Sequence, residues 1–200
     1  MIVIVIASLL GACGKKSGAT HTATTKPGGN DSGLSYYDGP PPWPLDGHQV
    51  QRMQAIGITP LTAEGTQVHY HAHLDVFYDG QAVTVPQYVG IDFDAQRISP
   101  MHTHFPSGVI HIESDSDTKF TLGQFLKEWG VKAAGNCIAD KCGAEVAVYV
   151  DGVAQDANPV NLVIHPDQEI ALVLGTKPAE VPSGYDCTRF PGDACPNIGS

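Results

Sequence analysis

Six of the nine histidines lie between positions 69 and 111, in patterns where every second residue is a histidine or a carboxylate. These patterns are His69-Tyr70-His71-Ala72-His73, His102-Thr103-His104 and His111-Ile112-Glu113. In a β-strand, residues at i and i+2 share a face and lie about 6.5–7 Å apart along the backbone. Imidazoles at this spacing can lean together onto one ion, with bonds of about 2.0–2.1 Å. Because neutral imidazole is a good ligand for copper, zinc, nickel and iron, the spacing predicts a transition-metal site.

We expect this site to hold one copper or zinc ion. Its candidate ligands are His69, His71, His73, His102, His104 and His111. Asp75 and Glu113 share faces with these histidines and are candidates to orient the imidazole rings by hydrogen bonds. Met101 directly precedes His102, and its thioether is a soft donor that suits Cu(I).

Hydrophobic patterning predicts the elements that must position these side chains. The predicted strands are 68–78, 81–86, 108–113, 145–150, 161–164 and 169–174, and the predicted helices are 47–55 and 121–130. Asp79-Gly80 and Asp151-Gly152 are hairpin turn signals. On strand 68–78 the odd positions from His69 to Asp75 are polar, whereas Leu74, Val76 and Tyr78 lie at even positions, which predicts a polar face and a core face. In helix 121–130 the apolar residues recur at i, i+3, i+4 and i+7, which predicts one buried side.

The chain begins with an apolar run over residues 1–10, whose last residue opens the sequence Leu10-Gly11-Ala12-Cys13. The run is shorter than the roughly 20 residues that span a bilayer, and it fits the apolar region of a secretory signal. No Lys or Arg precedes it, which departs from the usual signal. The four residues ending at Cys13 resemble a bacterial lipobox, so we expect lipidation at Cys13. The protein is therefore predicted to be extracytoplasmic and lipid-anchored to the cell membrane.

Composition divides the chain into four predicted segments. We expect a signal peptide at 1–12, and the lipidated Cys13 with a disordered tether rich in Gly, Ser, Thr and Pro at 13–45. One folded domain is predicted at 46–176, and a tail at 177–200. Apart from Cys13, four cysteines remain, which allow three pairings. We favour the two local pairs, Cys137–Cys142 and Cys187–Cys195, because short loops close easily.

The formal net charge is −10. A negative surface argues against nucleic acid as a partner, because the phosphate backbone repels it. It is compatible with the attraction of cations. The expected partners are therefore a metal ion, the membrane through the lipid anchor, and an envelope metalloprotein as a candidate donor or acceptor of the metal.

The order of predicted elements is hairpin, helix, hairpin and strand, and it resembles a β-grasp domain. The local pattern over roughly 73–175 is similar to ThiS-type sulfur carriers, with the histidine segment 92–119 as an insertion. The resemblance implies an α+β fold in which a β-grasp-like mixed sheet packs on one short helix. Sulfur carriers end in Gly-Gly, whereas here Leu174-Gly175-Thr176 runs on into the tail. The resemblance therefore implies the fold and not the chemistry.

Residues 56–176 also resemble an uncharacterised family of secreted or membrane-tethered proteins of actinobacteria and archaea. The shared pattern includes His-x-His-x-His-Leu at 69–74, Ser-Pro-x-His-Thr-His at 99–104, Ile-His-Ile-Glu at 110–113, and Phe-Thr-Leu-Gly-x-Phe at 120–125. This resemblance implies a shared fold and a shared site, and it brings no established activity.

Three functions fit these observations. The first is a surface protein that captures, buffers or delivers copper or zinc. The second is a metalloenzyme with three histidine ligands and an open water position, where Glu113 or Asp75 would be the general base. The third is a structural envelope protein whose histidines form a network without metal. The sequence contains no Gly-x-Ser-x-Gly motif or phosphate loop, so we favour the binding protein over an enzyme.

Overall fold

A computed structural model of the chain describes residues 27–31, 33–190 and 193. The predicted signal segment and Cys13 lie outside these residues. Within the described part of the chain, no helix combines the length and the apolar character needed to cross a membrane.

The helices are α1 (Gln49–Ala55) and α2 (Leu122–Trp129). The strands are β1 (Pro27–Asp31), β2 (Leu34–Tyr37), β3 (Val68–Tyr78), β4 (Gln81–Val83), β5 (Ile91–Asp92), β6 (Arg97–Ile98), β7 (Met101–His102), β8 (Val109–Ser114), β9 (Ala133–Ala134), β10 (Cys137–Ile138), β11 (Lys141–Cys142), β12 (Val146–Val150), β13 (Val153–Gln155) and β14 (Glu169–Leu174).

The main sheet has the strand order β13-β12-β14-β3-β8-β7, and β4 also pairs with β3. Strands β14 and β3 are parallel, and the other pairs of this sheet are antiparallel. The hairpin β3–β4, helix α2, the hairpin β12–β13 and the central strand β14 follow the predicted order. The predicted α+β fold with a mixed sheet is therefore confirmed, while the β-grasp resemblance stays a prediction. The insertion adds β7 and β8, which extend the sheet beside the first half of β3.

Helix α2 forms where the sequence predicts it, because both of its ends are capped. The Thr121 side chain accepts a hydrogen bond from the backbone N–H of Gln124, whose side chain in turn accepts one from the backbone N–H of Thr121. Gly130 ends the helix with a φ of 101°, which favours glycine. The apolar side of α2 contributes Leu122, Phe125, Leu126 and Trp129 to the core.

The folded domain begins before residue 46, so the predicted boundary lies too late in the chain. Strand β2 joins the domain through a hydrogen bond from the backbone N–H of Tyr37 to the carbonyl of Gly130, at 2.8 Å. Trp43 is buried, and its carbonyl accepts a bond of 2.7 Å from Nε1 of Trp129. The aromatic side chains of this segment can pack in the core although its average composition is that of a linker.

Two predicted strands differ from the structure. The segment 161–164 is not a strand: a short 3₁₀ turn covers Pro159–Asn161, and Val163 makes a single bridge to Thr121. The Asn158 side chain favours this turn because it accepts a hydrogen bond from the N–H of Val160, at 3.0 Å. The predicted strand 81–86 ends at Val83.

The predicted disulfide between Cys137 and Cys142 is present, and it joins residues that face each other on β10 and β11. Cys195 lies outside the described residues, so the second pair, Cys187–Cys195, stays a prediction.

Candidate metal centre

Three neighbouring strands align their histidines in one row across the sheet. His71 on β3 pairs with His111 on β8, which pairs in turn with His102 on β7. In the next row, His69 pairs with Glu113. Their neighbours Ala72, Ile110 and Ile112 point to the opposite face and lie in the core. Strand alternation therefore places the histidines together on one polar face, as predicted.

Four side chains of this face converge on one point, and we call them the first donor group: His69, His71, His111 and Glu113. Nε2 of His71 lies 3.3 Å from Nε2 of His69 and 3.0 Å from Nδ1 of His111. Oε1 of Glu113 lies 3.2 Å from Nε2 of His69 and 3.6 Å from Nδ1 of His111. Two ligands of a tetrahedral ion, each about 2.0–2.1 Å from the metal, are themselves about 3.3–3.4 Å apart. The four measured distances are close to this value, and all four donor atoms lie within 4.8 Å of one another, so the group could hold one metal ion.

Three more side chains lie beside this group, and we call them the second donor group: Glu64, His102 and His104. Nε2 of His104 lies 3.1 Å from Nε2 of His102 and 3.5 Å from Oε1 of Glu64. Donor atoms of Glu64 and His102 lie within 4.8 Å of each other and of Glu113, and those of His102 and His104 lie within the same distance of His111. The second donor group therefore adjoins the first.

Hydrogen bonds behind the rings orient two of the imidazoles. Nδ1 of His102 donates to the carbonyl oxygen of Ser99 at 2.9 Å, which leaves Nε2 as the atom with the free lone pair. Oδ1 of Asp193 lies 3.5 Å from Nε2 of His111, and Oδ2 of Asp193 accepts a short hydrogen bond from the Ser107 hydroxyl. A carboxylate behind a histidine fixes the tautomer and makes the other nitrogen a better ligand.

Burial keeps His71 and His102 neutral. Burial and the neighbouring imidazoles of His111 and His69 lower the pKa of His71 to about 4. Burial and the imidazoles of His104 and His111 lower the pKa of His102 to about 3. At neutral pH both rings are therefore in the form that binds metal.

Burial acting alone would raise the pKa of Glu113. The hydrogen bond with His111 and the nearby imidazoles of His102 and His69 outweigh it and lower this pKa to about 2. Glu113 is therefore ionised. The pKa of Glu64 is raised by burial and by the charge of Glu113 beside it.

One side of the centre is open to solvent. The inner side chains His71, His102 and His111 are buried. By contrast, the side chain of His69 is 55% exposed, and those of His104 and Glu64 are 31% and 50% exposed. An ion can therefore reach the buried nitrogens through these three residues.

His73 stands apart from both donor groups, although it shares the face of His71. Its Nδ1 lies 2.9 Å from Oε1 of Glu169, and its Nε2 lies 2.8 Å from the carbonyl oxygen of Ser107. Both partners accept hydrogen bonds, so both ring nitrogens carry protons. Burial alone would lower the pKa of His73, but the hydrogen bond and the charge of Glu169 raise it above the ordinary value. His73 is held as a buried cation paired with Glu169.

Neighbouring residues pack closely around the imidazole ring of His73. The Phe190 ring stacks on the imidazole with centroids 4.6 Å apart. Gly108 has a φ of 87°, and a Cβ at this position would lie 3.0 Å from Nε2 of His73 and 2.5 Å from the carbonyl oxygen of Leu74. Only glycine fits there without displacing one of them. His73, a predicted ligand, thus lies outside both donor groups, in a separate group with Asp75 and Glu169 whose donor atoms lie within 4.8 Å of one another.

Three predicted partners lie in different places. Glu113 belongs to the first donor group itself. Oδ2 of Asp75 lies 3.7 Å from Nδ1 of His73, so Asp75 accompanies that separate pair. Met101 is fully buried in the core, because it precedes His102 in the strand and therefore points to the opposite face.

Sequence reasoning missed Glu64, Asp193 and Glu169. Glu64 lies in a loop before β3, and Asp193 lies in the tail, where no periodicity marks a position as facing the site. Glu169 begins β14 and is paired with His73 in the parallel register. Its charge within an otherwise apolar strand is the one signal that the sequence offers.

The fold and the site define an α+β protein in which one polar sheet face carries groups of histidine and glutamate at metal-binding distances. Comparison of the chain with protein-family models, with curated proteins and with solved structures finds no match. The function must therefore be inferred from the chemistry of the site.

Proposed function

We propose that this chain captures, buffers or delivers copper or zinc outside the cytoplasm, tethered to the membrane through Cys13. The observation that carries the proposal is the first donor group, His69, His71, His111 and Glu113. Its donors are 3.0–3.6 Å apart in the four measured pairs, which is compatible with four ligands around one ion. Imidazole and carboxylate donors suit Zn²⁺ and Cu²⁺.

Four protein donors favour binding over catalysis. A catalytic zinc usually keeps a position for water beside three protein ligands, whereas a structural or storage site is closed by four. The neutral ring of His71 supports tight binding, because this ligand has no proton to lose at neutral pH.

The disulfide between Cys137 and Cys142 supports the proposed location. Disulfides persist in oxidising compartments and are rare in the cytosol. Lipidation at Cys13 adds an anchor, to which each buried CH₂ contributes about 0.8 kcal/mol.

Elemental analysis tests the proposal. The full chain would be purified from an exporting host without a polyhistidine tag and measured as isolated and after dialysis against Zn²⁺ or Cu²⁺. We expect stoichiometric metal in the wild type and in His165→Gln, where an exposed histidine outside the donor groups is changed. We expect a marked loss in His71→Gln/His111→Gln. A wild-type protein that neither contains nor takes up metal would contradict the proposal.

A further inference from the structure

The polar sheet face offers more donors than one ion can use. The two donor groups together contain seven side chains, and a four-coordinate ion takes four of them. After the first donor group is used, Glu64, His102 and His104 remain, and they are not scattered. Nε2 of His104 lies 3.1 Å from Nε2 of His102 and 3.5 Å from Oε1 of Glu64, and Glu64 and His102 have donor atoms within 4.8 Å of each other.

We propose that the centre holds two metal ions, one in each donor group, with the carboxylate of Glu113 shared between them. This inference rests on the proposed function and extends it from one ion to a pair. Glu113 has donor atoms within reach of both sets, since it lies with His69, His71 and His111 on one side and with Glu64 and His102 on the other. Its two oxygens can each bind one ion.

Charge and orientation support the second ion. The carboxylates of Glu64 and Glu113 approach within 4.8 Å, and a cation bound between them would relieve the repulsion of their negative charges. The hydrogen bond from Nδ1 of His102 to Ser99 turns its Nε2 toward His104 and away from the core. The ring of His102 is therefore already oriented for an ion in the second donor group.

Exposed ligands allow the two groups to be disabled separately without disturbing the core. His69 serves only the first donor group, and its side chain is 55% exposed. Glu64 and His104 are members of the second group alone, although each has a donor atom within 4.8 Å of a member of the first, Glu113 and His111 respectively. Their side chains are 50% and 31% exposed. Substituting glutamine at these positions keeps a polar side chain, so the variants should fold, which circular dichroism and thermal melting can check.

The test is a calorimetric titration of the metal-free full chain with Zn²⁺, read together with elemental analysis. We expect two equivalents in two binding steps for the wild type and for the control His165→Gln. His69→Gln should weaken one step at least about tenfold and leave the other, and Glu64→Gln/His104→Gln should do the reverse. One equivalent that both variants weaken would overturn the second ion and leave the proposed function intact. No binding at all would overturn both.

Discussion

Asp193 and His111 are joined by a contact of 3.5 Å between Oδ1 of the carboxylate and Nε2 of the imidazole. The other nitrogen of the same ring, Nδ1, faces His71 at 3.0 Å. Asp193, in the tail, thus contacts one nitrogen of the imidazole, while the other nitrogen belongs to the first donor group. A contact behind a ligand changes how strongly the ligand binds without touching the metal.

Replacing Asp193 with asparagine should weaken metal binding roughly 10–100-fold, the usual effect of losing a carboxylate behind a histidine ligand. The amide keeps the size of the side chain but removes the charge that fixes the His111 tautomer. Competition titration with a chelator of known affinity measures the change. The matched control is Asp186→Asn, an exposed tail carboxylate that contacts Thr188. Equal affinities for Asp193→Asn and wild type would show that the contact has no influence on the site.

Replacing His73 with glutamine should destabilise the fold without lowering the metal stoichiometry. The change would leave the buried carboxylate of Glu169 without its cation, which costs about 3–5 kcal/mol when one partner of a buried pair is removed. Urea denaturation and elemental analysis on the same samples separate the two effects. The double variant His73→Gln/Glu169→Gln should recover part of the loss. A variant of normal stability that has lost one equivalent of metal would identify His73 as a ligand.

Metal should raise the melting temperature of the protein. An ion that binds only the folded chain adds about 2.7 kcal/mol when its free concentration is 100 times the dissociation constant. For a domain of this size the gain corresponds to a rise of roughly 5–10 °C. Differential scanning calorimetry with Zn²⁺ and with excess chelator measures it. His71→Gln/His111→Gln serves as the control, and an equal rise in that variant would locate the stabilising ion elsewhere.

Glu128 on α2 should make the stability of the metal-free protein depend on pH. It is completely buried, and burial raises the pKa of its carboxyl from 4.5 to about 8. The folded protein therefore keeps a proton that the unfolded chain releases above pH 4.5. The stability that this proton contributes is complete below pH 4.5 and is lost as the pH rises toward 8, by about 1.4 kcal/mol per pH unit.

The variant Glu128→Gln isolates this effect, because glutamine is uncharged at every pH. Relative to the wild type, its free energy of unfolding should increase steadily between about pH 5 and pH 8. Urea denaturation at several pH values in the presence of chelator measures the difference. A difference that does not change with pH would mean that Glu128 titrates near its ordinary value in the folded protein.

Replacing Phe125 with alanine should cost roughly 3–5 kcal/mol, because the ring is fully buried between α2 and the sheet. Chemical denaturation measures the loss. The comparison variant is Lys127→Ala, which lies on the same helix outside the apolar core cluster. An unchanged midpoint for Phe125→Ala would contradict the packing of α2 on the sheet.

The sequence predicts the parts of the centre that follow from strand alternation. The period of two in Val68–Tyr78 sets which side chains share the polar face, and the observed bounds of β3 match the predicted ones. Alternation alone cannot tell His71 from His73, which lie on the same face. They differ because residues distant in the chain supply their neighbours: His111 for His71, and Glu169, 96 positions away, for His73.

Loop residues escape prediction for a related reason. Glu64 and Asp193 contact the histidines from the loop before β3 and from the tail, and no local sequence pattern predicts either contact. The segment before residue 46 has the composition of a linker, yet Trp43 is buried and bonded to Trp129. For such a segment, a few aromatic side chains indicate that it packs in the folded domain, although its average composition is that of a linker.

The separation of the donors along the chain determines the order of folding and metal binding. The two nitrogens closest to each other, those of His71 and His111, belong to residues 40 positions apart, and they meet only when β3 and β8 have paired. An unfolded chain offers an ion only the local His-x-His-x-His and His-x-His segments, which supply few ligands. Under the proposed function, folding therefore precedes metal binding, because the complete set of donors exists only in the folded domain.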